Sequence, residues 1–215
     1  MRWPDAEALE GSLLWGGGTE GPAAVPGWYT ATFVLGSDTQ TVKFEIRKDP
    51  RLDTPHEDFV AQFDLHQRIN KKLSEVHKGI KRIREVRSTV SGVTSSWSDL
   101  DSTQTAAIDS IVKQINDTLT YVEDALIQTK AKAFQDLLNY PVKLNNKIAT
   151  LASVASSADR RPTKQTYDLF DQLSAEADSY LQKLYDVDEK SITDLNKRIK
   201  QLDLPAIPKK KSAKN

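Results

Sequence analysis

Three histidines, a few closely spaced acids and one glycine run are the residues here whose chemistry could amount to a site. His56, His66 and His77 are the only histidines in 215 residues. His66 and His77 are eleven apart, which on a helix puts them on one side but about three turns, ~16 Å, from each other. A single metal ion cannot be held across that gap, and no other segment supplies an imidazole. The spacing predicts a first-turn residue at His56 and two surface histidines at His66 and His77. Neighbouring acids occur at Asp99 and Asp101, Glu123 and Asp124, Asp186 and Asp188, and Asp188 and Glu189. A glycosidase pair needs carboxyls ~5 to 9 Å apart across a substrate cleft, one with a raised pKa. These pairs fall instead in polar loops or on solvated helix faces.

Gly16-Gly17-Gly18-Thr19-Glu20-Gly21 lacks the spacing and the following Lys-Ser/Thr of a phosphate loop, and no helix follows it, so it reads as a turn. Asn116-Asp117-Thr118 matches the glycosylation triplet but falls in the middle of a helical pattern. Trp3, Trp15, Trp28 and Trp97 could stack on sugars or proteins, yet three of them fall where a small sheet would need core. Burial in the core or at an interface is expected. Without cysteine, disulfides, thiolate zinc sites and cysteine nucleophiles are excluded. No catalytic, cofactor-binding or metal-binding residue is assigned, and no cofactor or small-molecule substrate is expected.

The elements that would position such residues are mostly helices. The longest runs from about Thr54 to Val90. Thr54-Pro55-His56-Glu57 offers a cap, a first-turn proline and a capping-box glutamate. Phe59, Phe63, Ile69, Leu73, Val76, Ile80, Ile83, Val86 and Val90 then follow, with Ile69 to Ile83 in steps of four and three, one apolar stripe along a rod roughly 55 Å long. A second helix is predicted over about Thr103 to Lys132 (Ile108, Ile111, Ile115, Leu119, Val122, Leu126). A short third covers about Val142 to Ser157 (Leu144, Ile148, Leu151, Val154 inward). A fourth, capped by Thr163, covers about Lys164 to Leu202 (Tyr167, Phe170, Leu173, Ala177, Leu181, Leu184, Ile192, Leu195, Ile199). Four amphipathic helices on short loops predict a mainly α fold, an antiparallel three- or four-helix bundle. Its expected form is a three-helix shaft thickened to four over part of its length. A dimeric coiled coil is the competitor, but Phe59, Val60 and Phe63, or Leu169, Phe170 and Leu173, are broader than a coiled-coil seam.

Residues 1–48 are β-type. Leu13-Leu14-Trp15 reads as a short strand, Trp28 to Leu35 as another, and Gln40 to Arg47 returns with Val42, Phe44 and Ile46 inward. Such a small antiparallel hairpin is marginal alone, so it leans on the helices or belongs to a sheet with further strands. Residues 49–53, Asp49-Pro50-Arg51-Leu52-Asp53, form a proline-bearing elbow, read as rigid rather than as a hinge. The bundle is predicted over 54–204, ending in Leu204-Pro205-Ala206-Ile207-Pro208. Residues 205–215, with Lys209, Lys210, Lys211 and Lys214, form a basic disordered tail.

Thirty basic residues balance thirty acidic ones, so no overall field draws the chain to nucleic acid or an anionic membrane. No apolar run approaches the ~20 residues of a membrane helix. Met1-Arg2-Trp3-Pro4-Asp5 shows no charged-then-apolar leader and reads like the interior of a folded domain.

Several stretches carry a resemblance. MRWPDA, LLWGGGTEGP, VPGWYTATF and DPRLDTP resemble the end of an immunoglobulin-like sandwich in large bacterial proteins with a sortilin-like or sialidase-like β-propeller, often labelled glycosyl hydrolases. FVAQFDLHQRINKKLSEVHKGIKRIR, LIQTK, LNYPVKLNNKIATLAS and RPTKQTYDLF are similar to the helical tail that closes such chains. The propeller and its Ser-x-Asp-x-Gly-x-x-Trp boxes are absent, so the resemblance carries over no active-site residue. It implies a partial sandwich over 1–48, a fragment of a larger protein, and an extracytoplasmic setting. It also implies a non-catalytic structural or protein-interaction role, the partner being the upstream propeller or another protein. The alternatives are a stand-alone helical adaptor that self-associates or binds helices, and an accessory part of a hydrolase acting on glycans or peptides.

Overall fold

Helix α1, His56–Ser95, is the axis of the fold. The computed structural model describes residues 1–95, 97 and 102–202, without the side chains of 102–105 and 107. The predicted helix end at 204–208, the basic tail, and Asp99 and Asp101 lie outside these residues. The fold is mainly helical, with a two-stranded antiparallel hairpin ahead of the helices. α2 spans Ser102–Leu126, α3 Leu144–Ala155, α4 Lys164–Asp186 and α5 Ile192–Gln201.

Ion pairs and hydrogen bonds between helices give their directions. Arg84 and Arg87 of α1 reach Glu123 and Thr120 of α2, an antiparallel pairing. Arg68, Lys72 and Arg82 meet Asp171, Asp178 and Asp188 in ascending order, so α1 and α4 run parallel. α3 descends the lower half of α1, its C-terminal Ala155 carbonyl accepting from Gln62. The descending rod is therefore two helices in succession, α2 above and α3 below. This departs from the expected thickening to four: at each level a third rod, either α2 or α3, fills the angle between α1 and α4–α5.

The apolar stripes meet in one core. Leu65, Ile69, Leu73, Ile80 and Ile83 of α1 are fully buried with Ile108, Ile115, Leu119 and Leu126 of α2, Ile148 of α3, and Leu195 and Ile199 of α5. Burying such a side chain contributes about 1.5–3 kcal/mol. Gly79 makes room for α4 on α1: a Cβ there would stand 2.5 Å from Leu181 Cδ2.

Four details differ from the pattern-based reading. α2 stops at Leu126, because Gln128 forms a turn, its Oε1 accepting from Lys130 N and its Nε2 donating to the Pro141 carbonyl. The expected fourth helix is interrupted by a π turn, Val187–Ser191. It absorbs one extra residue, so that Val187 and Ile192, five apart, both face the core. In α3, Val154 is half exposed, and Ala149, Ala152 and Ala155 are buried instead, small side chains that let this helix lie close against its neighbours. Thr54 Oγ1 donates to the Asp159 carbonyl at 2.6 Å, so it ties the elbow to the α3–α4 connection. Thr163 caps α4 as expected, accepting from Thr166 N.

The hairpin pairs β1, Gly27–Leu35, with β2, Asp38–Ile46, without a bulge, from Gly27 opposite Ile46 to Leu35 opposite Asp38. Gly36 at the tip takes φ 61°, the left-handed conformation a tight turn requires. Tyr29 stacks on Phe44 near the base. Toward the tip Phe33, Leu35 and Val42 are exposed, so the expected inward placement of Val42 is corrected: nothing among the described residues covers it. Leu13-Leu14-Trp15 is not a strand. Residues 1–24 instead form an irregular loop closed by Trp3 N to the Pro22 carbonyl, Ala6 N to the Thr19 carbonyl and Ala24 N to the Met1 carbonyl. This loop, the strap, lies across α1 and α3.

Candidate functional site

The expectation of two surface histidines is wrong, and the reason is the strap. His66 is 5% exposed and His77 0%, each turned toward the strap backbone. His77 Nδ1 stands 2.6 Å from the Glu7 carbonyl and His66 Nε2 3.1 Å from the Glu20 carbonyl. Between and beyond them α1 carries more polar residues at helical spacing. Asn70 Nδ2 donates to the Glu20 carbonyl at 2.9 Å, and Ser74 Oγ accepts from Glu7 N at 2.9 Å. Lys81 pairs with the Glu7 carboxylate at 2.5 Å, and Arg84 donates to the Glu10 carbonyl at 3.0 Å. His66, Asn70, Ser74, His77, Lys81 and Arg84 are separated by 4, 4, 3, 4 and 3 residues, a polar ridge beside the apolar stripe.

Helix α3 completes the clamp. Asn146 accepts from Trp15 N through Oδ1 and donates to the Trp15 carbonyl through Nδ2 at 3.2 Å, a two-point reading of one backbone unit. Thr150 donates to the same carbonyl and Asn145 to Ser12 Oγ. Gly17 lies against the α3 backbone, where a Cβ would meet Ala149 C at 2.5 Å and Thr150 N at 2.6 Å. The predicted glycine turn is thus a seat for close helix approach, and no helix follows it to hold a phosphate.

Burial sets the electrostatics. Desolvation, the largest influence on both histidines, pulls His66 and His77 below the usual histidine range, although each carbonyl bond works the other way. The hydrogen bond and charge of Lys81 hold the Glu7 carboxyl below its ordinary value. His77 Nε2 is enclosed with no hydrogen-bond partner, so the ring is neutral and Nδ1–H is the donor.

The remaining candidates are dispersed. His56 is exposed in the first turn of α1. Glu123 is buried, against the expectation of a solvated face, because it joins Arg84 and Arg87, while adjacent Asp124 is exposed. Asp186 pairs with Lys190 and Asp188 takes a two-toothed hold from Arg82 Nε and Nη2. Asn116 lies within α2, its Oδ1 buried without a partner. Among the described residues no three His, Cys, Asp or Glu side chains gather where a metal ion could be held. Trp97 is buried, but Trp3, Trp15 and Trp28 are exposed, which corrects the expectation of core burial for these three. Trp3 meets Phe63 edge-on and Trp15 stacks on Phe134. A cleft of about 710 Å³ opens beside the strap, lined by Trp3, Asp5, Asp64, Arg68 and Lys71 among others.

What the ridge and clamp do chemically is satisfy the backbone groups of an irregular segment in place of a sheet. No helix among the described residues is long and apolar enough to cross a membrane. Comparison with models of protein families, with curated proteins and with solved structures found no match.

Proposed function

We propose that this chain is a non-catalytic structural and protein-interaction module, the C-terminal part of a larger bacterial β-propeller protein of the sortilin-like, glycosyl-hydrolase-like kind. The observation that carries the reading is the half-covered hairpin. One face of its twin nine-residue strands presents Tyr29, Ala31, Phe33, Leu35, Val42, Phe44 and Ile46, with Gln40 and Asp38 toward the tip, while the other presents threonines, Lys43 and Glu45 with Trp28 and Val34. The base of the apolar face is partly shielded: Tyr29 stacks on Phe44, and Ile46 borders a cleft shared with Phe59 and Phe63. The outer part, with Leu35 84% exposed, is not.

Size distinguishes the two occupants that could cover it. Two strands of about 30 Å, spaced about 5 Å, offer a face on the order of 300 Å². A stable dimer needs about 800 Å² from each partner. Self-association through the hairpin alone falls short, whereas strands of the same polypeptide, held nearby by the chain, need far less interface. A sandwich completed by strands of the parent protein is therefore the better occupant. An antibody against the helical bundle, used on the source cells, should detect a product far above the mass of these 215 residues. A native product of only this mass would overturn the reading.

A further inference from the structure

Two buried imidazoles, His66 and His77, hold the strap backbone. His77 Nδ1–H donates to the Glu7 carbonyl, and Nε2 is buried with no partner. A second ring proton would create an enclosed N–H without an acceptor, on a cation near Lys81. His66 donates through Nε2 to the Glu20 carbonyl, and a charge there would be buried near Arg2. The charged groups acting on His77 are Lys81 from α1 and Glu7 from the strap. Those acting on His66 are Arg2 and Glu20, both from the strap. Glu7 and Glu20 favour the cations, but burial outweighs them at both rings.

We propose that residues 1–24 are an acid-released strap, held on α1 and α3 at neutral pH and let go when His66 and His77 take a second ring proton. The released state exposes both rings and binds protons with the ordinary midpoint near 6.5. The attached state binds them only at lower pH. Between those two limits the free strap holds more protons, so attachment strengthens as pH rises and weakens as it falls. Each histidine can change the release equilibrium by up to about tenfold per pH unit across this window, and the two together by up to about a hundredfold. What release uncovers is the polar ridge, a surface equipped to bind extended backbone and, at Lys81, a carboxylate. The inference does not depend on the propeller reading.

Hydrogen exchange of the full chain, corrected for the intrinsic pH dependence of exchange, tests it. From pH 7 to 5.5, amides of the strap should lose about tenfold to a hundredfold protection while those of central α1 and α4 keep theirs. The double variant His66→Gln and His77→Asn places an amide donor near each lost ring N–H without a titrating group. Its strap should show no acid transition. Undiminished strap protection in the parent at pH 5.5, or an identical transition in the variant, overturns the proposal. Should the variant not fold, nuclear magnetic resonance of the parent decides: both rings must gain their second proton together with strap release. A ring that does so while strap amides remain protected also overturns it.

Discussion

Replacing Gly17 with alanine adds one methyl group where the strap lies on α3. The new Cβ would stand 2.5 Å from Ala149 C, 2.6 Å from Thr150 N and 2.8 Å from the Ala149 carbonyl oxygen. These are backbone atoms inside a helix and cannot rotate aside, so the strap must move. Overpacking of this kind costs about 1–3 kcal/mol. A second route gives a similar figure. Lifting this part of the strap breaks the two Asn146 bonds to Trp15 and the Thr150 bond to the same residue, at about 1 kcal/mol each. The expectation is thus a loss of about 2 kcal/mol, or roughly 4–8 °C in thermal midpoint for a chain of this length. Gly92, inside α1, is the control: nothing lies within 4 Å of its missing Cβ. Gly92→Ala should raise stability by about 0.5–1 kcal/mol through helix propensity. Denaturant and thermal unfolding followed by circular dichroism, with hydrogen exchange on the strap, reads both. If Gly17→Ala leaves both the midpoint and strap exchange unchanged, the seat on α3 does not exist in solution.

Three further substitutions probe the core and its polar border. His77→Ala should cost about 1–3 kcal/mol near pH 7.5, because the Glu7 carbonyl loses a buried donor; an unchanged denaturation midpoint would return His77 to the surface position expected from its spacing. Ile80→Asp places an unpaired charge in the fully buried core and should cost about 4 kcal/mol or more, so a thermal melt less affected than that of His77→Ala would reverse the assigned facing of α1. Glu123→Ala removes the acid shared by Arg84 and Arg87, and because both arginines reach water the expected loss is only about 1–2 kcal/mol. Rising salt should narrow the gap between this variant and the parent, and a gap that widens would contradict the assignment.

Much of the helical fold was legible because apolar side chains recur at helical spacing over long windows. Ile69 through Ile83 are buried as their periodicity required, as are Ile108, Ile115, Leu119, Val122 and Leu126, with Ile111 partly buried. Boundaries were less legible where a side chain, rather than a breaker residue, ends the helix. Gln128 is a good helix former, yet it closes a turn with both ends of its amide. The π turn was legible in principle: Val187 and Ile192 are five apart, a step no regular α-helix keeps on one face. The broken descending rod was not. Nothing local separates a helix stacked end to end with another from one packed alongside it.

The histidines show where apolar periodicity alone goes astray. Judged one at a time, His66 and His77 are polar residues near the edge of a greasy stripe, and exposure is the natural reading. Taken with Asn70, Ser74, Lys81 and Arg84, they form a second stripe at the same helical period. Most members have short or planar side chains that both fill space and donate or accept. A solvated face needs no such selection, since long charged side chains serve there equally well. A polar stripe of this kind, flanking an apolar one, instead indicates that irregular backbone lies over the helix and must find its partners there. At the basic end of the ridge the Glu7 carboxylate meets Lys81, and Arg84 donates to the Glu10 carbonyl. Since a neutral imidazole is what the enclosed positions demand, the residue type that makes this attachment fit is also the one that makes it sensitive to acid.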